Sequence, residues 1–163
     1  MRLKGDYLIT VGHCLDKTYY FSIENETGLL PAKIVLDAEV PNVPLADGDS
    51  IALIKLPTLD NTQYHQTVKV AKYFSGRLFL ACYPVILEKR MPVLRYLKWY
   101  TVDGQMLLFN NSVAGGCSGG GIFNHRNELV ALVGFYSPLA DISGAYLVTP
   151  LRDKINRIIN EKH

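Results

Sequence analysis

The stretch Val113-Ala114-Gly115-Gly116-Cys117-Ser118-Gly119-Gly120-Gly121-Ile122-Phe123 constrains this chain more than any other. Five glycines surround one nucleophilic pair, Cys117 and Ser118, and an apolar run follows at once. Glycine tolerates positive φ and lets other backbone come close, so such a run can hold a tight turn with its N–H groups pointing inward. A hydroxyl or thiol at the tip of that turn, beside bare amides, supplies what acyl transfer needs: an exposed nucleophile and donors for a developing oxyanion. A plain glycine-rich hairpin connection has the same composition, and the stretch alone does not separate the two.

Composition narrows the setting. The 163 residues fit one compact unit or two small subdomains that share an interface. A hydrophobic content of 48% with 20% charged residues excludes wholesale disorder. The net charge of +2 is too small to argue for a nucleic acid or an anionic membrane surface as partner. No apolar run approaches the roughly 20 residues that span a bilayer. The apolar residues between Asp6 and His13 are too few for the core of a signal peptide, so a cytoplasmic location is expected. The cysteines, Cys14, Cys82 and Cys117, are odd in number and widely spaced. That argues against a disulfide scaffold and for a reducing compartment, with Cys82 as a small core residue and no zinc spacing.

Along the chain, Tyr7–Val11 reads as a strand ending at Gly12, with His13 directly behind it. Strands are expected over Thr18–Ile23, Ala32–Val40 and Ser50–Leu56, with Val35 and Ala38 marking changes of face and Pro57–Gln63 a linker. Residues 1–62 then form one subdomain and 63–163 a second. In the second, Thr67–Phe74 and Arg77–Tyr83 read as a hairpin about Ser75-Gly76. Leu94–Val102 and Met106–Phe109 read as another about Asp103-Gly104. Ile122–Asn124, Glu128–Phe135 and Gly144–Thr149 are further strands. Pro150 opens an amphipathic helix through Ile159. Many short strands, no βαβ alternation and one terminal helix predict an all-β sandwich or barrel.

His13 closes a strand, Asp49 opens another and Ser118 sits in the glycine turn, in the chain order His, Asp, Ser. At these residues the sequence resembles the chymotrypsin-like serine peptidases, including their HtrA-like and viral or phage relatives. The segments that carry the likeness are Leu8–Leu15, Asp49–Leu56 and, most specifically, Gly116–Phe123, and the likeness spans nearly the whole chain. The resemblance implies two Greek-key β-barrels of the six-stranded type packed together, the first truncated because one strand alone precedes His13. It implies His13 as general base, Asp49 as its orienting partner, Ser118 as nucleophile, and an oxyanion hole from the N–H groups of Gly116 and Ser118. The substrate pocket would involve Ser112, Gly134, Phe135, Tyr136 and Gly144. With no acid at the Ser112 position, a small or apolar residue before the cut is expected. No metal or organic cofactor is implied, and the partner is a polypeptide substrate.

Two departures leave alternatives open. An ungapped alignment of Ala52–Leu56 places Ser50, not Asp49, at the aspartate position. Strand faces alternate, so Asp49 would then aim away from His13 unless a bulge at Ser50 re-aimed it. Cys117 stands beside Ser118, so a cysteine-type viral peptidase is a second reading, although the glycines follow Ser118 as serine chemistry requires. A peptidase fold kept as a protein-binding module is the third. Sequence leaves the oligomeric state open.

Overall fold

A computed structural model of the chain describes residues 1–15, 33–43, 48–56, 67–83, 93–110, 113 and 115–161. Two antiparallel sheets and one helix make up the described residues. The first sheet holds β1 (Arg2–Leu3), β2 (Tyr7–Val11), β3 (Lys33–Val40) and β4 (Asp49–Lys55) in the order β1-β2-β4-β3. In β2, Tyr7, Ile9 and Val11 are buried while Leu8 and Thr10 are half-exposed, the period-2 pattern of a strand with one inner face. The apolar run of β4 is buried from Ile51 to Ile54, as a strand covered on both faces requires. The register of β3 on β4 slips between Ile34 and Leu36, at Val35, where the sequence marks a change of face.

The second sheet contains β5 (Phe79–Cys82), β6 (Val93–Tyr96), β7 (Tyr100–Asp103), β8 (Met106–Phe109), β9 (Gly121–Phe123), β10 (Leu129–Ser137) and β11 (Ile142–Leu147). Their order is β6-β5-β9-β10-β11-β8-β7. A short turn, Thr149–Leu151, leads into α1 (Arg152–Asn160), which buries Ile155 against the core.

Two expected hairpins are corrected. Residues 67–74 form no strand; Val70 alone makes an isolated parallel bridge to Leu129. The segment Leu94–Val102 is not one strand but two. β6 pairs with β5 at one edge of the sheet, and β7 pairs with β8 at the other. Between them Leu97 turns into the core and its N–H donates to the Leu78 carbonyl. The β7–β8 hairpin about Asp103-Gly104 does form, with Gly104 at φ 58°. The expected strand Thr18–Ile23 and the linker 57–63 lie outside the described residues.

Apolar side chains collect in two clusters. One fills the space between the sheets, where Ile9, Val11, Ile51 and Leu53 meet Phe123, Leu132, Tyr146 and Ile155. The other lies within the second sheet's own barrel, around Leu80, Phe109, Ile122, Val133, Ala145 and Leu147. Alternation along β11 divides its residues between them: Ala145 and Leu147 go to the second cluster, Tyr146 to the interface with the first sheet.

Candidate active site

β2 ends at Val11, and Gly12–Cys14 makes one turn of 3-10 helix that carries His13 onto the start of β4. That approach needs a glycine. A Cβ on Gly12 would lie 2.2 Å from Ser50 Oγ and 3.0 Å from Asp49 Oδ1. His13 Nδ1 sits 2.6 Å from Asp49 Oδ2, and the His13 backbone N–H donates to Asp49 Oδ1 at 2.9 Å. The Ser50 N–H donates to the same Oδ1 at 2.8 Å. The Asp49 side chain is 1% exposed and that of His13 34%, so the carboxylate is enclosed while the imidazole reaches solvent. A carboxylate only accepts, so Nδ1 carries the proton and Nε2 of the neutral ring is left as an acceptor.

Of Asp49 and Ser50, it is Asp49 that meets His13. No bulge at Ser50 is involved, because the β3–β4 register runs unbroken from Leu36↔Leu53 to Val40↔Asp49. Asp49 shares a face with Ile51 and Leu53, the face turned to the inter-sheet core, while the Ser50 hydroxyl lies against Gly12.

Ser118 occupies the exposed tip of its loop. The Gly120 N–H closes a tight turn on the Cys117 carbonyl at 2.9 Å, and Gly119 adopts φ 75°. The Gly119 N–H donates to Val133 O, and the Val133 N–H to Gly120 O, which lashes the loop to β10. The N–H groups of Gly116 and Ser118, by contrast, donate to no backbone carbonyl among the described residues. A Cβ on Gly119 would lie 2.9 Å from Thr10 Oγ1 and 3.9 Å from Cys14 Sγ, so the residue after Ser118 lies close to the chain on both sides of His13. Among the described residues, the Ser118 hydroxyl makes no hydrogen bond.

The cysteines depart from expectation. Cys82 in β5 and Cys117 form a disulfide, with Cα atoms 5.0 Å apart. Cys117 therefore offers no thiolate and the cysteine-type reading is corrected; Cys82 is not a lone core thiol, and the pattern is not disulfide-free. Cys14 is the free cysteine. Partial burial pushes its thiol above the ordinary range, the Asp49 charge adds to this, and a hydrogen bond with Thr10 opposes it.

Of the expected pocket residues, Ser112 lies outside the described residues. The other four cluster where β10 meets β11. The register jumps from Val133↔Ala145 to Phe135↔Gly144, which makes Gly134 the extra residue of a bulge. The Phe135 ring lies over Gly144, 2.2 Å from where a Cβ would be. The Tyr136 hydroxyl donates to Asp141 Oδ1 at 3.0 Å, and that bond raises the phenol's pKa. A separate surface cavity of about 360 Å³, lined by Lys72, Tyr73, His125 and Arg126 among others, shares no residue with this site. Sequence reasoning missed Thr10, the disulfide and Tyr146, whose ring lies under Gly134. The one signal for Tyr146 was a tyrosine two residues after Gly144 on a strand.

No family model matches the sequence. A search of curated proteins also finds no match. Solved structures do match. The serine protease of a human pathogenic astrovirus superposes with a TM-score of 0.67 at 16% identity, covering 92% of this chain and 82% of that one. The thermostable serine protease AL20 from an extremophilic microorganism gives 0.67 at 16% identity, covering 99% and 89%. Human heparin binding protein gives 0.68 at 11% identity, covering 99% and 85%. The chain has the two-barrel fold of the chymotrypsin-like serine proteases.

Proposed function

We propose that this chain is a serine endopeptidase that hydrolyses peptide bonds through an acyl-enzyme. The observation that carries the reading is the enclosed Asp49 carboxylate, which bonds both Nδ1 and the backbone N–H of His13. That leaves Nε2 as the base, and the neighbour of Ser118 packs on the residues flanking His13. Ser118 Oγ attacks the scissile carbonyl carbon while His13 Nε2 takes its proton. The carbonyl electron pair moves to oxygen, where the N–H groups of Gly116 and Ser118 stabilise it by about 3 kcal/mol per donor. Collapse breaks the C–N bond, and the amine leaves with the proton from His13. Water then repeats the sequence on the ester and restores Ser118. Asp49 fixes the tautomer and stabilises the imidazolium throughout. No residue of the Gly134, Phe135, Tyr136 and Gly144 group is charged, and the Phe135 ring fills the space above Gly144; both favour a small or apolar residue before the cut.

A binding module on the same fold is the second reading. Human heparin binding protein, named for a ligand rather than a reaction, shares the fold, and the Ser118 hydroxyl here bonds to no described group. Labelling with a fluorophosphonate separates the two. The peptidase reading expects labelling of the wild type and of Cys14→Ala, and none of Ser118→Ala. A wild type that stays unlabelled with its disulfide intact overturns that reading in favour of the module.

A further inference from the structure

Tyr146 is fully buried at the interface between the two sheets, and its hydroxyl makes no well-formed hydrogen bond within 3.5 Å among the described residues. An unpaired buried hydroxyl costs about 1–3 kcal/mol, so a donor in this position needs an acceptor. Burial first, and then Asp49 as an acceptor and as a charge, hold the phenol protonated well above its usual range. Asp49 has room for another donor. A carboxylate offers about four acceptor positions. Three donors occupy Asp49: the His13 ring, the His13 N–H and the Ser50 N–H. The space for the phenol comes from the bulge in β10. A Cβ on Gly134 would lie 2.3 Å from Tyr146 Cζ and 2.7 Å from its hydroxyl.

We propose that the Tyr146 hydroxyl donates to the Asp49 carboxylate, closing a hydrogen bond from the second sheet to the first, and that Tyr146 is a positioning residue for the Asp49–His13 pair. Asp49 and His13 belong to the first sheet, whereas Ser118 hangs from the second through β5 and β10. Reaction geometry therefore depends on how the sheets are held together at this point. Apolar contacts around Tyr146 set the spacing but are non-directional; a hydroxyl aimed at Asp49 adds direction. Gly134 serves this bond by leaving the phenol its place. The catalytic consequence rests on the peptidase reading above, but the bond itself does not.

The test is Tyr146→Phe, which keeps the ring and removes one oxygen. The low-field proton resonance of His13 Nδ1–H is recorded in a Ser118→Ala background, where no turnover is needed, with and without Tyr146→Phe. Losing the competing donor strengthens the Nδ1–H···Oδ2 bond, so the resonance is expected to move downfield. In the active protein, Tyr146→Phe is expected to lower kcat roughly tenfold at unchanged KM, since the lost bond is to a charged group and remote from substrate. An unmoved resonance in a variant with wild-type thermal stability overturns the proposal, whatever the activity. A resonance that moves in a protein with no peptidase activity leaves the bond standing and overturns the peptidase reading instead.

Discussion

Replacing Asp49 with asparagine tests the site at its most enclosed group. The substitution is nearly isosteric, so its effect can be worked from the contacts. Oδ1 of the new amide can still accept from the His13 and Ser50 N–H groups, which hold it at 2.9 and 2.8 Å. The amide nitrogen then replaces Oδ2 at 2.6 Å from His13 Nδ1, where it can only donate. The ring responds by holding its proton on Nε2, which faces away from Asp49. With that tautomer His13 has no lone pair to take the Ser118 proton. Water cannot repair the arrangement, because the Asp49 side chain is 1% exposed. A tautomer error of this kind costs about 10⁴ in kcat in a Ser-His-Asp site. At about 1.36 kcal/mol per decade, that is about 5 kcal/mol of transition-state stabilisation. Folding stability loses far less, about 1–2 kcal/mol, because the charge assistance lost from the three hydrogen bonds at Asp49 is partly offset by no longer burying a carboxylate. The two effects are read separately, the first as the rate of fluorophosphonate labelling or peptide cleavage, the second by urea denaturation. Ser50→Ala is the control, expected to retain activity because its side chain does not contact His13. Asp49→Asn within about tenfold of wild type, or an equal loss in Ser50→Ala, would refute the reasoning.

The disulfide and the free thiol make two further predictions. Cys82–Cys117 closes a separation of 35 residues, so reduction should cost about 4 kcal/mol by chain entropy and also lower Ser118 labelling, since Cys117 is the adjacent residue. Counting thiols in denaturant checks it: one reactive thiol before reduction and three after, whereas three before reduction would show that no disulfide forms. Cys14 should alkylate slowly at neutral pH and speed up only above the ordinary thiol range, because partial burial and the Asp49 charge disfavour its thiolate. Asp49→Asn removes the negative charge and should move the rate profile toward lower pH; fast alkylation of the wild type at neutral pH would contradict this.

What was legible along the chain was what depends on near neighbours. The alternation in β2, the apolar run of β4 and the Asp103-Gly104 turn each act within a few residues, and each forms where the pattern places it. The split of Leu94–Val102 was not legible, because both halves have strand composition and only their partners, on opposite edges of the sheet, divide them. The disulfide needed β5 beside the Ser118 loop, a relation that three scattered cysteines do not encode. Asp49 shows the difference most sharply. Counting along β4 shifts attention to Ser50, but the aim of the carboxylate follows from the face it shares with Ile51 and from Gly12, whose missing side chain admits the His13 turn. Gly134 works the same way on the opposite sheet, since its bulge makes room for a phenol from β11. Both glycines act by what they leave empty, so their role appears only once the strand across from them is known. The Gly116–Phe123 stretch was readable as a turn because its glycines sit beside one another in the chain; the approach of His13 to Asp49 was not, because the space at Gly12 is filled by Asp49 and Ser50, far away in the chain.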